Sequence, residues 1–351
     1  MIELRLSGSP GEVRIALLED DTLVDVALWR PGSPDGWGNI YDIRVKTVVP
    51  SLDGAFIQTG QGTDGFLTSR KKITEGSLLC AQLIRCAQNG KGARFKPIAR
   101  PTSLPPATEP RLLQCGPSPL EELAERVPHA PIIVDDMTVA AALPAALRTR
   151  VQRVPKSFDT VLEGEWDALM QPSASLGPFI AHFSPTPALT AIDLDSASHP
   201  DFATNVACFP ELLRHIRLRN LSGTLLIDPA GVRSRKRPAL VPFLKKAVEQ
   251  ENDPLQPRVT GVTPSGLLEL TRPRRRPPLH ELMRSPHGQG LAILRQILRD
   301  NLPGQTLHAP PEIVHALEED PDALSECVRT RCQPLALHVA PPSSSCCWNL
   351  S

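Results

Sequence analysis

The sequence predicts a multi-domain α+β protein with a small closed β-barrel in its first third and α/β layers after it. Residues 38–97 hold five short apolar segments joined by glycine turns and no helical periodicity, a pattern typical of a barrel of the oligonucleotide-binding type. Further along, apolar strands alternate with amphipathic helices, which indicates α/β layers. The chain has 351 residues, 41% of them hydrophobic, so it can form two or three domains with their own cores.

Residues 1–30 alternate apolar and polar side chains and predict two or three antiparallel strands. Residues 31–38, rich in proline and glycine, end this segment. No stretch approaches 18 apolar residues, and residues 1–30 lack the apolar core of a signal peptide, so we expect a cytoplasmic protein without a membrane anchor.

The barrel segment carries candidate RNA-binding side chains. In such barrels, exposed aromatic rings stack on bases while nearby cations contact phosphates. Phe56, Phe66 and Lys91 fit these roles, although either phenylalanine could instead be a core residue.

Residues 99–130 are rich in proline and predict a linker with one short helix at 120–126. A strand at 131–135, a helix at 139–149, a strand at 150–154 and a helix at 158–169 follow, which predicts a further α/β layer.

Two later apolar runs each end in carboxylates. Residues 188–195 (ALTAIDLD) contain Asp193 and Asp195, and residues 223–228 (GTLLID) end in Asp228, with a helical segment between them. Buried strands of one sheet could bring these acids together as an oxygen-only site, which suits Mg²⁺ or Mn²⁺ better than zinc. The alternative is that each aspartate is a turn residue or a helix cap.

The formal net charge is zero, but the cations are concentrated around these acids. Clustered cations favour phosphate binding more than net charge does; a solvated helix face is the alternative. The clusters are Arg214, Arg217 and Arg219, then Arg233, Arg235, Lys236 and Arg237, then Arg272, Arg274, Arg275 and Arg276. The eight cysteines form no C-x-x-C pair and predict reduced thiols, not disulfides. A zinc site among Cys327, Cys332, Cys346 and Cys347 is the less favoured alternative.

The barrel segment resembles the S1 domain of the ribonuclease E/G family. Residues 38–41 (GNIY), 48–57 (VVPSLDGAFI) and 65–67 (GFL) are similar to that family's GNIY, V-x-PSLEAAFV and HGFL motifs, in order and at the same spacing. Residues 90–92 (GKG) are similar to its N-K-G turn.

The later strands resemble the catalytic region of the same family. Residues 183–195, 204–219, 222–228 and 266–272 are similar to its T-E-A-L-x-x-I-D-x-N, T-N…R-Q-L-R-L-R, G-G-x-I-V-I-D and G-L-L-E-M-S-R segments. The resemblance implies that Asp193 and Asp228 are catalytic and hold magnesium. It also implies that Asp195, which replaces a supporting asparagine, is a third ligand or a water-orienting acid. It also implies that Arg219, Arg233, Arg235, Lys236 and Arg237 face RNA phosphates.

The resemblance implies an RNase H-like α/β layer with an inserted S1 barrel, a DNase I-like catalytic subdomain and a small C-terminal α/β domain. The expected boundaries are 1–35 and 99–175 for the RNase H-like layer, 36–98 for the barrel, 176–285 for the catalytic subdomain, 286–342 for the C-terminal domain and 343–351 for a disordered tail. In the C-terminal domain we expect a break at 286–290, helices near 291–300, 311–319 and 322–331, and a strand at 335–339.

The chain departs from the family pattern at several points. An acid common three residues after the second ligand is replaced by Gly231, and the V-R-T-A-G motif of the 5′-phosphate sensor is absent. The zinc-linking C-P-x-C motif is also absent, so a homodimer would have to use other contacts.

These observations predict a magnesium-dependent endoribonuclease acting on single-stranded RNA, similar to the short, G-type family members. The alternatives are an RNA-binding or ribosome-associated protein that has lost cleavage, and a structural α/β protein that does not bind RNA.

Overall fold

The structure is a computed structural model that describes residues 1–60, 62, 64–69, 71–102, 108–196, 200–340 and 348–351. The strands are, in chain order, β1 (Ile2–Ser9), β2 (Glu12–Glu19), β3 (Thr22–Trp29), β4 (Ile40–Val49), β5 (Gly54–Gln58), β6 (Gly65–Thr68), β7 (Leu78–Arg85), β8 (Ala93–Pro97), β9 (Arg111–Gln114), β10 (Ile132–Val134), β11 (Val151–Arg153), β12 (Ser173–Leu176), β13 (Phe179–Pro185), β14 (Leu189–Asp195), β15 (Gly223–Asp228), β16 (Arg258–Val262), β17 (Leu268–Arg272), β18 (Thr306–Ala309), β19 (Ala336–Val339) and β20 (Asn349–Leu350).

The helices are, in chain order, α1 (Pro119–Arg126), α2 (Met137–Ala142), α3 (Ala145–Arg148), α4 (Thr160–Leu169), α5 (Phe202–Leu218), α6 (Val241–Glu251), α7 (Leu279–Arg284), α8 (Pro286–Arg299), α9 (Pro311–Glu318) and α10 (Pro321–Arg331). None of the helices in the described ranges combines the length and the apolarity that crossing a bilayer requires.

The chain divides into two compact units, each assembled from separate stretches of sequence. Unit 1 contains Met1–Pro34, Ser118–Trp166 and Leu279–Ser351, and unit 2 contains Asp35–Pro117 and Asp167–Pro278.

In unit 1, a five-stranded sheet has the order β11-β10-β1-β2-β3. The three N-terminal strands pair antiparallel, as their alternation predicts, while β10 and β11 join parallel to β1. Asp20 and Asp21 have positive φ values of 47° and 62° and form the tight turn between β2 and β3. The core side chains of this sheet pack against those of α1 and α2.

Two helix predictions in unit 1 were wrong in detail. The single helix expected at 139–149 is divided into α2 and α3, because Leu143 is extended and precedes Pro144, which cannot continue a helix. The break expected at 286–290 is instead the first turn of α8. Proline is tolerated at a first helical position, and the α-carbons of Gly288 and Gly290 lie against Leu282 and Leu317, where a Cβ would clash.

The C-terminal part of unit 1 packs α8, α9 and α10 with a small sheet of order β19-β18-β20. Strand β20 pairs with β18, so this part of the predicted disordered tail forms a strand. Residues 343–347 of that tail lie outside the described residues. Cys327 is buried in this core and Cys332 is exposed, whereas Cys346 and Cys347 lie outside the described residues.

In unit 2, strands β4 to β8 form the closed barrel that the sequence predicted. Their order is β5-β6-β8-β7-β4, and β5 pairs again with β4, which closes the barrel. Strand β9 also pairs with β4, so part of the predicted linker belongs to the barrel sheet. Tyr41, Ile57, Leu67 and Phe95 fill the interior.

Unit 2 also contains a six-stranded sheet of order β12-β13-β14-β15-β17-β16. Strands β14 and β15 are parallel and are connected through α5, as expected from the helical segment between the two acidic runs. Alternate residues of these strands pack with α5 and α6 in one hydrophobic core, which includes Ile192, Leu194 and Ile227. Because side chains alternate along a strand, the residues between them point to the opposite face of the sheet.

Candidate active site

Asp193 and Asp228 are direct neighbours on the face of the sheet opposite α5 and α6. They are register partners in the parallel pair β14–β15, and each is next to a buried isoleucine that points to the helical face. Neighbouring strands lie about 4.8 Å apart, so the two side chains leave the sheet side by side. Asp193 is exposed and Asp228 is half-buried. We call Asp193 and Asp228 the carboxylate pair.

Asp195 projects from the same face as Asp193, two residues further along β14, and is exposed. His182 of β13 is the register partner of Asp193, and its Nε2 lies 3.7 Å from Oδ2 of Asp195. Sequence reasoning placed no histidine near the acids. The alternation of buried and exposed residues from Phe179 to Phe183, followed by the turn before β14, is typical of a β-hairpin. Recognising this hairpin would have predicted that His182 lies beside the acids of β14.

Arg237 contacts the carboxylate pair directly. Its Nη1 lies 2.8 Å from Oδ1 of Asp228, and its guanidinium also donates to the carbonyl oxygens of Pro229, Val232 and Gly266. Arg237 therefore fixes the loop after β15 and pairs with Asp228, which differs from the phosphate-facing role that the sequence predicted for it.

Gly231 explains why this loop lacks the acid expected from the family pattern. Its φ is +68°, a conformation that glycine adopts readily and other residues avoid. A Cβ at this position would lie 2.2 Å from the carbonyl oxygen of Pro200. The path of the backbone therefore excludes an acidic side chain at residue 231.

Arg219 lies in the interior of unit 2 and is 5% exposed. Its guanidinium donates to the carbonyl oxygens of Ala168, Leu169, Gln171 and Ser173 and lies 4.5 Å from the centre of the Phe183 ring. Burial lowers the pKa of Arg219 to about 10. The side chain is thus engaged by backbone carbonyls at the end of α4, and this location differs from the RNA-facing position predicted from the sequence.

Arg233, Arg235 and Lys236 are exposed just after the loop that follows Asp228. The 3₁₀ segment Ser234–Leu240 contains two of them, and none makes an ion pair with an acidic residue in the described ranges. A phosphate-binding role for these three cations stays a prediction.

The barrel presents Phe56 and Phe66 on its outer surface. Phe56 is 52% exposed, Phe66 is half-buried, and their rings meet edge to face with centroids 5.4 Å apart. We call them the aromatic pair. Lys91 is exposed in the turn that follows β7, where its backbone bonds to that of Gln88. All three side chains can therefore reach a ligand outside the barrel.

The carboxylate pair supplies oxygen donors of the kind that Mg²⁺ takes from proteins. Magnesium is usually held by one or two carboxylates and completes its octahedral shell with water and substrate phosphate. Among the described residues, no group of three or more His, Cys, Asp or Glu side chains is arranged to hold a metal ion. The donor set therefore fits Mg²⁺ bound by two carboxylates and does not form a complete protein cage.

One segment of the chain matches a known protein family. Residues 161–275 match the model of the ribonuclease E/G family. Ribonuclease E of Synechocystis sp. is 34% identical over 111 residues, which cover 29% of this chain and 16% of that protein. Ribonuclease E of Escherichia coli is 31% identical over 160 residues, covering 39% of this chain and 14% of the relative. Ribonuclease G of Salmonella typhimurium is 26% identical over 217 residues, covering 56% of this chain and 41% of the relative.

The matched segment contains the carboxylate pair, Asp195 and the arginine-rich loop that follows β15. The chain spans less than half the length of each of these three relatives. The family match confirms the resemblance seen in the sequence for residues 161–275, which form a segment of the ribonuclease E/G type.

Proposed function

We propose that this protein is a magnesium-dependent endoribonuclease that cleaves single-stranded RNA. The observation that carries the proposal is the register of β14 and β15, which sets Asp193 beside Asp228 on an accessible face of the sheet. The matched relatives are named ribonucleases, and the family model matches the segment that contains both acids.

Single-stranded RNA is the proposed substrate because the aromatic pair offers exposed rings. Base stacking on aromatic side chains contributes about 1–3 kcal/mol per base and needs bases that are free of a duplex. Phe56 and Phe66 provide such rings, and the exposed amine of Lys91 is available to a phosphate.

In this proposal the carboxylates of Asp193 and Asp228 hold the metal. When bound, Mg²⁺ supplies Lewis-acid polarisation of the scissile phosphate and activation of the attacking water. Asp195 and His182, on the same face, are placed to orient groups beside the carboxylate pair. The exposed cations Arg233, Arg235 and Lys236 would hold flanking phosphates, while Arg237 holds the loop that carries them.

The second candidate is an RNA-binding protein whose cleavage site has lapsed. Two observations favour it: Arg237 already occupies one oxygen of Asp228, and Gly231 excludes the additional acid. An arginine at a carboxylate competes with a cation for the same oxygen, so metal affinity at the pair could be too low for turnover.

A cleavage assay separates these two candidates. A fluorescent, A/U-rich single-stranded RNA is incubated with the protein in Mg²⁺ or in chelator, beside the Asp193→Asn/Asp228→Asn variant and an annealed duplex of the same sequence. We expect Mg²⁺-dependent internal cuts in the single strand that are absent with the double variant, although the variant binds RNA with unchanged affinity.

Glu249→Gln is the matched control, because it removes an exposed carboxylate of α6, which packs on the other face of the sheet. It should retain cleavage. RNA binding without cleavage in Mg²⁺ or Mn²⁺ would support the lapsed site, and cleavage that survives the double variant would remove both aspartates from the mechanism.

A further inference from the structure

A continuous row of four side chains crosses the outer surface of the barrel in unit 2. Phe56 is the register partner of Phe66, Phe66 of Arg94, and Arg94 of Arg85, so the row spans β5, β6, β8 and β7. A bulge at residue 84 in β7 brings Arg85 opposite Arg94. The row therefore begins with the aromatic pair and ends with two arginines.

Arg94 and Phe66 also contact each other, since the Arg94 guanidinium carbon lies 5.9 Å from the centre of the Phe66 ring. This spacing is at the outer limit of a cation–π interaction. A base stacked on Phe66 would thus have a guanidinium group beside it for its own phosphate.

Arg85 and Arg94 form an unfavourable cross-strand pair. Like charges directly opposite each other destabilise an antiparallel pair. A third cation, Arg274, lies in a segment that bonds to the end of β7, since the backbone N–H of Cys86 donates to the carbonyl oxygen of Arg275 at 2.8 Å. Burial, together with the charges of Arg94 and Arg274, lowers the pKa of Arg85. None of the three makes an ion pair with an acidic residue in the described parts of the chain.

The polar atoms of these arginines are only partly satisfied. Arg85 donates from Nη2 to the carbonyl oxygen of Gly92 at 2.7 Å, and Arg274 donates to that of Ala188 at 3.1 Å. The Nε atoms of Arg85 and Arg274 are buried and have no hydrogen-bond partner among the described residues. An anion bound by these guanidinium groups would relieve the repulsion between them.

Arg274 connects this part of the barrel with the sheet that carries the carboxylate pair. Its guanidinium packs over the α-carbon of Gly223 at the start of β15, where a Cβ would lie 2.4 Å from Nη2, and it bonds to Ala188 immediately before β14. Along β14, Ala188 lies five residues before Asp193, a distance of about 16 Å. The arginine side chains thus extend from the aromatic pair to strands β14 and β15, which end at the carboxylate pair.

We propose that Arg94, Arg85 and Arg274, here called the arginine cluster, form a phosphate-binding subsite that holds the backbone of single-stranded RNA between the aromatic pair and the catalytic sheet. The inference rests on the proposed function for the identity of its ligand and deepens it by naming where the strand lies. Guanidinium groups suit this role, because their planar donor forks match phosphate oxygens.

Salt dependence of RNA binding tests the subsite. Each cation that contacts a single-strand phosphate contributes about 0.7 to the slope of log K against log salt concentration. Binding is measured by fluorescence anisotropy across a range of NaCl concentrations, with an A/U-rich single-stranded RNA. All variants are made in the Asp193→Asn/Asp228→Asn background, so that the RNA stays intact.

We expect Arg94→Gln, Arg85→Gln and Arg274→Gln each to weaken binding and to reduce the slope by about 0.7. The corresponding lysine variants should retain the slope, because they keep the charge. Phe66→Leu should weaken binding with an unchanged slope. Lys245→Gln is the matched control, since Lys245 is an exposed cation of α6, which packs on the other face of the sheet.

The proposal is overturned if the three glutamine variants have the same slope as Lys245→Gln. Arg94 is exposed, so its glutamine variant tests the subsite even if substitution of the half-buried Arg85 or Arg274 disturbs folding. The two proposals can fail independently. If the parent protein never cleaves RNA but the glutamine variants of the arginine cluster reduce the salt slope, the endoribonuclease proposal is refuted and the subsite proposal stands.

Discussion

Replacement of Arg219 by methionine is expected to destabilise unit 2 without changing how the protein binds RNA. The guanidinium donates to four backbone carbonyls and contacts the ring of Phe183. Methionine retains much of the apolar stem but cannot donate a hydrogen bond.

The size of the effect follows from the groups left behind. Each buried carbonyl that loses its donor costs about 1–3 kcal/mol, and the lost contact with Phe183 adds up to about 2 kcal/mol. Removing a buried charge recovers several kcal/mol of its desolvation cost. We therefore expect a net loss of about 3 kcal/mol in the free energy of unfolding, or about 6–12 °C in melting temperature for a unit of this size.

The assay compares Arg219→Met with Arg94→Gln by thermal melting and by the salt dependence of RNA binding. Arg219→Met should melt lower with an unchanged salt slope, and Arg94→Gln should show the reverse. An unchanged melting temperature together with a reduced slope for Arg219→Met would place this guanidinium on phosphate and refute its structural role.

Three further predictions follow from the packing around the site and in unit 1. Asp253→Ala leaves the buried Arg272 guanidinium without its carboxylate, so the free energy of unfolding, followed by thermal melting, should fall by about 3–5 kcal/mol. An effect as small as that of a surface substitution would contradict the buried ion pair. Gly231→Asp should destabilise the protein in the same assay, because of its positive φ and the clash with Pro200, and should not raise Mg²⁺-dependent cleavage; a more active variant would refute the argument from the backbone. Burial raises the pKa of Glu163, but the hydrogen bonds and charge of Arg14 lower it more, so its stabilisation is complete above about pH 4.5 and is lost as the pH falls through the lower folded value. The melting temperature of Glu163→Gln should therefore depend less on pH in this acidic range than that of the parent, and identical profiles would contradict the prediction.

Much of the fold could be predicted from local pattern. The five barrel strands and the two acidic strands were found because a period of two residues and strong glycine turns are encoded within short segments. The errors occurred where one local residue pattern is compatible with two different structures. Proline and glycine at 286–290 suggested a break, but proline can begin a helix, and these glycines allow close packing in α8.

The roles of individual cations could not be predicted in this way. Arg219, Arg237 and Arg272 belong to the arginine-rich clusters of the sequence, as does the exposed Arg233. The first three nevertheless bind carbonyls or carboxylates of the protein itself. A guanidinium group can donate hydrogen bonds to a buried carbonyl or to an RNA phosphate, and the sequence does not show which acceptor lies within reach.

The sequence by itself determined the barrel, the acidic strand ends and the resemblance to a family, because each depends on residues close together in the chain or on motifs at fixed spacing. Only the tertiary structure decided that His182 stands beside Asp193, that Arg237 pairs with Asp228, and that the row from Phe56 ends at two arginines. These contacts depend on the register between strands and on the path of the loops. Register is fixed by the packing of whole sheet faces, and a shift of one residue would turn the strand side chains among them to the other face.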